Sequence, residues 1–107
     1  MSDRTTKVAN MVKELSASFL GRESNKTSLV SVTGANVSPD LKKATIFITV
    51  LPESKEKDAL SFAKRKRPEL RDFLKQNMSI KNIPFIDIMI DKGEKNRQRI
   101  DELLKEK

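Results

Sequence analysis

Val37-Ser38-Pro39-Asp40-Leu41-Lys42-Lys43-Ala44-Thr45-Ile46-Phe47-Ile48-Thr49-Val50 is a turn running into a strand. Pro39 presets φ, and the following Asp can bond its own downstream backbone, so Ser38-Pro39-Asp40 has the chemistry of a reversal. Beyond it the apolar residues alternate with period two. Ala44, Ile46, Ile48 and Val50 share one face and Thr45, Phe47 and Thr49 the other, the pattern of a strand with one face in a core. Upstream, Leu29-Val30-Ser31-Val32-Thr33 is short and β-branched, and extends past Gly34 to Val37 if the Gly marks a bulge or close approach. A connection this short pairs the two strands antiparallel.

Outward from this hairpin, Val8, Met11, Val12, Leu15 and Phe19 recur at spacings of three and four and predict a helix over 5–19, with Gly21 as a left-handed stop and a polar loop from Arg22 to Thr27. Downstream, Pro52 ends the strand and Ser54 is a candidate cap for a helix over 54–65 that turns Ala59, Leu60, Phe62 and Ala63 inward. Pro68 then interrupts a helical pattern. It lacks an N–H and clashes with the carbonyl four residues back, so a break is expected near Lys66–Arg67, with Pro68 in the first turn of a new helix, 68–76, that buries Leu70, Phe73 and Leu74. Met78, Ile80 and Ile83 form a connector closed by Pro84. A third strand over 85–91 buries Ile86, Ile88 and Ile90, Gly93 turns the chain, and a last amphipathic helix carries Ile100, Leu103 and Leu104. Met11, Met78 and Met89 are read as core filling. The order is α-β-β-α-α-β-α: an α+β fold, one domain over 1–107, with a three-stranded sheet and helices on one face.

The 107 residues include no Cys and no His, which excludes disulfides, thiolate or imidazole metal sites, catalytic triads and histidine general bases. Carboxylates offer no substitute: Asp87 and Asp91 share a strand face but lie ~13 Å apart, too far to share a magnesium pair, and Asp101 and Glu102 point in different helical directions. Surface acid is the plain reading of all four. Gly21, Gly34 and Gly93 fit no phosphate-loop pattern. No catalytic residue, cofactor or metal is therefore expected. There is neither an apolar signal segment after Met1–Lys7 nor a run of about eighteen apolar residues, so the expectation is a cytoplasmic protein with no membrane partner.

The net charge is +7, and its position says more than its size. Lys64, Arg65, Lys66, Arg67, Arg71, Lys75 and Lys81 face only Glu69 and Asp72 within one short segment, which thus holds five of the seven excess charges. Consecutive cations repel, and phosphate oxygens are the usual reason a chain keeps them together; the bland alternative is a solvated helix face. These seven residues are the candidate nucleic-acid site, with Lys64, Arg65, Lys66, Arg67 and Arg71 expected on one surface around the break. Charge alone leaves RNA and DNA equally open. With no Trp or Tyr, and five Phe mostly at core positions, backbone contact is expected to outweigh base stacking. No exposed apolar stripe beyond one core is evident, so a monomer is expected.

Lys7-Val8-Ala9, Glu14-Leu15-Ser16, Val37-Ser38-Pro39-Asp40-Leu41-Lys42-Lys43-Ala44, Ile83-Pro84-Phe85, Asp91 and Arg99-Ile100-Asp101-Glu102-Leu103-Leu104, in this order and spacing, resemble the ribosome-binding factor A family over nearly the whole chain. The resemblance implies a type-II KH-like fold, α-β-β-α-α-β, here with a short C-terminal helix. It implies a non-enzymatic assembly factor that binds the small ribosomal subunit, assists late maturation of its rRNA including the 5′ end, supports growth in the cold, and is released by a GTPase. It also makes the seven clustered cations an RNA-binding site. Where the family breaks its paired helices at Ala-x-Gly, this chain has Lys66-Arg67-Pro68, and like the family it lacks the G-x-x-G loop of ordinary KH domains. A basic structural ribosomal protein and a general RNA-binding protein are the competing readings.

Overall fold

The computed structural model describes residues 3–23 and 29–93. Helix α1 (Asp3–Glu23) leads into strands β1 (Leu29–Val37) and β2 (Lys43–Leu51), a 3-10 turn (Glu53–Lys55), helices α2 (Glu56–Arg65) and α3 (Arg67–Asn77), and strand β3 (Phe85–Ile90). The sheet order is β1-β2-β3, with β1 antiparallel and β3 parallel to the central β2. This is the expected order, with β3 brought alongside β2 by the α2–α3 crossover. The final helix expected around Ile100, Leu103 and Leu104 lies outside the described residues.

The period-two pattern of β2 is the floor of the core. Ala44, Ile46 and Ile48 are fully buried, and their register partners on β3, Ile86 and Ile88, are buried beside them. Val8, Val12, Phe19 and Leu20 of α1, Ala59 and Ala63 of α2, and Leu70 and Leu74 of α3 cover this face. Strand β1 keeps both of its halves on the same core only through a bulge. Val30 and Val32 pair with Val50 and Ile48, then the register slips at Thr33, and Ala35 and Val37 pair with Ile46 and Ala44. One extra residue reverses the facing parity, so Val37 is buried although it is an odd number of positions from Val32. The Thr33 hydroxyl donates to Asp91 Oδ2 at 2.6 Å, tying the bulge to the end of β3.

The turn at Ser38-Pro39-Asp40 closes on its own polar groups. Ser38 N–H donates to Lys43 O at 2.9 Å and Leu41 N–H to Ser38 O at 2.8 Å. Asp40 Oδ1 accepts the Ser38 hydroxyl at 2.6 Å and the Lys42 N–H at 3.0 Å, while Ser38 Oγ accepts the Lys43 N–H at 3.0 Å. The Ser38 hydroxyl, followed by the Lys42 amide, holds the Asp40 carboxyl below its ordinary pKa. That contribution to stability is present above the unfolded carboxyl's pKa and fades as pH falls through the lowered folded value. Leu41 takes φ 60°, an unusual left-handed conformation for a branched side chain, held by the turn's hydrogen bonds and by packing on the core.

Several local expectations are corrected. Gly21 is not a left-handed stop: the described residues contain no positive-φ Gly, and α1 runs on to Glu23. Phe19 packs on Phe73 of α3 with ring centroids 5.6 Å apart, and the Arg22 guanidinium lies 5.0 Å above the Phe73 ring, so tertiary contact carries the helix through the glycine. Ser54 makes no cap, because the 3-10 turn enters α2 through the Lys55 N–H bond to Pro52 O at 2.9 Å. Met78 is buried, but Met11 and Met89 are exposed; Met89 alternates with Ile88 and Ile90 and so falls on the outer face of the sheet. Asp87 and Asp91 are half-buried, hydrogen-bonded carboxylates rather than plain surface acid.

Two substitutions check this packing. A Cβ at Gly21 meets nothing within 4 Å, so Gly21→Ala should raise unfolding stability by about 0.5–1 kcal/mol through helix propensity alone. Ser16 is fully buried with no partner for its hydroxyl, so Ser16→Ala should be neutral or stabilising by about 1 kcal/mol, read by urea denaturation.

Candidate nucleic-acid interface

Pro68 organises the basic segment. It is at the start of α3 and has no N–H for the carbonyl four residues back, that of Lys64. Arg67 supplies the donor instead: its Nε bonds Lys64 O at 3.0 Å. The rest of the same guanidinium lies 3.7 Å from Asp87 Oδ1 and 6.0 Å above the Phe85 ring, so one side chain bridges the end of α2 to the free edge of the sheet. Asp87 Oδ1 also accepts the Ile88 N–H at 2.8 Å, which occupies one donor of edge strand β3.

Around this bridge Lys64, Arg65, Arg67, Pro68, Arg71, Phe85 and Ile86 line a hollow of about 480 Å³. Among the described residues Lys64, Arg65 and Arg71 enter no ion pair, so their charge faces solvent. Lys66 departs from the group: as the residue between the helices it turns to Glu69 at 3.1 Å and lies 5.6 Å above the Phe62 ring. Lys75, one helical turn beyond Arg71, extends the Arg67–Arg71 row along α3 without lining the hollow. Lys81 lines a second hollow of about 470 Å³ with Arg4, Asp40, Leu41, Lys42 and Ile83. The two hollows are lined by residues on either side of the fully buried Pro84, Ile83 in one and Phe85 in the other, and the Phe85 N–H bonds Lys42 O at 2.8 Å.

Sequence reasoning missed Arg4, Lys42 and Phe85. The first two are isolated cations brought to Lys81 by the fold, with no local charge run to mark them. Phe85 had a signal: in an alternating strand it is out of phase with Ile86 and Ile88, and it is 61% exposed.

The family model for ribosome-binding factor A matches residues 4–104. The chain belongs to the ribosome-binding factor A family. Its relatives include ribosome-binding factor A of Coxiella burnetii, 28% identical over 97% of this chain and 89% of the relative, and that of Opitutus terrae, 27% identical over 99% and 88%. Among solved structures, the crystal structure of the Thermus thermophilus factor superposes with a TM-score of 0.71 at 16% identity, covering 80% of this chain and 94% of that one. A Thermotoga maritima protein of the family, solved in solution, gives 0.74 at 20% identity, covering 87% and 92%. A Thermus thermophilus factor fitted into a cryo-EM map of a 30S complex gives 0.69 at 16%, covering 78% and 91%. The fold is thus the KH-like fold of this family, with the helix break made by proline chemistry. No described helix is long and apolar enough to cross a membrane.

The bridge separates Arg67 from its neighbours. Arg67→Ala removes the Lys64 carbonyl's donor and the Asp87 pair together, and should lower unfolding stability by about 1 kcal/mol. Arg65→Ala and Arg71→Ala should each stay within about 0.5 kcal/mol of wild type in the same denaturation series.

Proposed function

We propose that this chain is a non-enzymatic RNA-binding assembly factor of the small ribosomal subunit that assists late maturation of its rRNA, including the 5′ end, and is released by a GTPase. The observation that carries the reading is the pair of basic hollows, one lined by Ile83 and the other by Phe85, on a ribosome-binding factor A scaffold. Lys64, Arg65, Arg71, Lys75 and Lys81 are the phosphate contacts in this reading, and Arg67 acts by positioning. The 30S complex of the Thermus relative supports the same partner class. A chain without Cys or His, whose Asp87 and Asp91 are engaged in structural hydrogen bonds, fits binding rather than cleavage.

Phosphate contacts release counterions, so affinity for small subunits should fall steeply with salt. Arg65→Ala combined with Arg71→Ala should flatten the slope of log affinity against log salt by about one unit per lost contact. Lys55→Ala with Lys57→Ala, at the opposite end of α2, should leave it unchanged. Wild-type binding by the Arg65/Arg71 variant would overturn the assignment. On sucrose gradients the protein should peak with free and immature small subunits and leave mature ribosomes, whereas a structural ribosomal protein stays.

A monomer belongs to the same proposal, although its sequence premise needs correction: Leu29, Leu51, Phe85 and Met89 are all exposed. Leu29 and Leu51 are partners at one end of the hairpin, Met89 pairs with the half-buried Phe47 in mid-strand, and Phe85 begins β3 at the other end of β2, so the exposed residues are strung along the sheet rather than gathered at one point. Sedimentation at micromolar concentration should give a mass near 12.2 kDa.

A further inference from the structure

The basic hollow is not lined by charge alone. Its wall includes Phe85, 61% exposed at the first position of β3, together with Pro68 and Ile86. The other four Phe are placed differently: Phe19 is buried, Phe73 packs on it, Phe62 is half-buried under Lys66, and Phe47 is half-buried on the outer sheet face. Leaving most of an aromatic side chain in water forfeits burial that a neighbouring core position would supply. Here the ring is held in place, because the guanidinium above it is itself bonded to Lys64 O and Asp87.

We propose that this hollow takes one unpaired nucleotide, with its base stacked on Phe85 and its phosphate held by Arg65 and Arg71. This rests on the RNA-binding reading above and names what the site takes: an extruded or single-stranded base rather than duplex backbone. Volume supports the choice. About 480 Å³ lies within the ~300–1,000 Å³ range of small-ligand sites and is far too small for a helix. The chemistry supports it too. An acidic peptide would satisfy the cations but leave the ring face and the apolar wall of Pro68 and Ile86 wet, whereas a nucleotide brings a π-face and an anion at once. Stacking tolerates any base, so the site selects for an unpaired nucleotide rather than a sequence.

The test uses the whole protein and three RNA hairpins: one with a single bulged uridine, one with an abasic ribose-phosphate at the bulge, and one fully paired. Wild type should bind the bulged uridine about tenfold more tightly than the abasic hairpin, in line with stacking on one base. Phe85→Ala should bind both as wild type binds the abasic one, with its salt slope unchanged. The chain has no Trp, so Phe85→Trp provides a single indole reporter that also keeps a stacking face. Its fluorescence should be quenched by the bulged hairpin and not by the abasic one. Equal wild-type affinity for bulged and abasic hairpins, or a preference that survives Phe85→Ala, overturns the nucleotide site while leaving the RNA-binding reading intact. Failure of wild type to bind any of the three overturns both. An indole signal that responds to an acidic peptide and to neither bulged RNA assigns the hollow to a protein partner and overturns the proposal.

Discussion

A proline with no N–H to give governs the arrangement of this molecule's basic surface. At position 68 it denies the Lys64 carbonyl its helical donor, and the Arg67 side chain takes that place at 3.0 Å. The bond fixes where the guanidinium stands, and from there it reaches Asp87 and the Phe85 ring on the sheet's edge. The family's usual glycine would bend the chain without committing a side chain. Here the bend and the bridge are one device, and the remaining cations of the segment are sorted by it. Lys64, Arg65 and Arg71 face the hollow, while Lys66 turns away to Glu69.

The break holds because both helices are anchored beneath it. Ala59 and Ala63 seat α2 closely on the sheet, and Leu70 and Leu74 bury α3 in the same core as Ile46, Ile48 and Ile88. With those apolar positions committed, the cations between them can only face outward. On the far side of the sheet the bulge at Thr33 has an equivalent role for β1, turning Val37 into the core and offering a hydroxyl to Asp91. Two acidic residues of the family motifs are thus structural. Asp40 closes the hairpin turn and Asp91 secures the bulge, while Lys42 and Phe85 of the same motifs line the two hollows.

Local chemistry was most readable where one residue type admits one solution. The alternation of β2, the turn at Ser38-Pro39-Asp40, the bulge beside Gly34 and the break at Pro68 each follow from backbone rules that act within a few residues. Gly21 shows where such rules stop: its helix continues because Phe19 and Arg22 engage Phe73, a residue more than fifty positions away. Ser54 is similar, since a 3-10 turn left its side chain no capping task.

By itself, then, the sequence determined the order of the described elements, the buried faces of β2 and β3 and the segment that carries the excess charge, because periodicity and clustering are properties of neighbours in the chain. Only the tertiary structure decided which cations lie together. It drew Lys66 out of the cluster, placed Arg4 and Lys42 beside Lys81, and set an exposed Phe85 under Arg67. The physical reason is that a binding surface is assembled across elements. Its geometry depends on the α2–α3 crossover that lays β3 parallel to β2, and no local pattern encodes that juxtaposition.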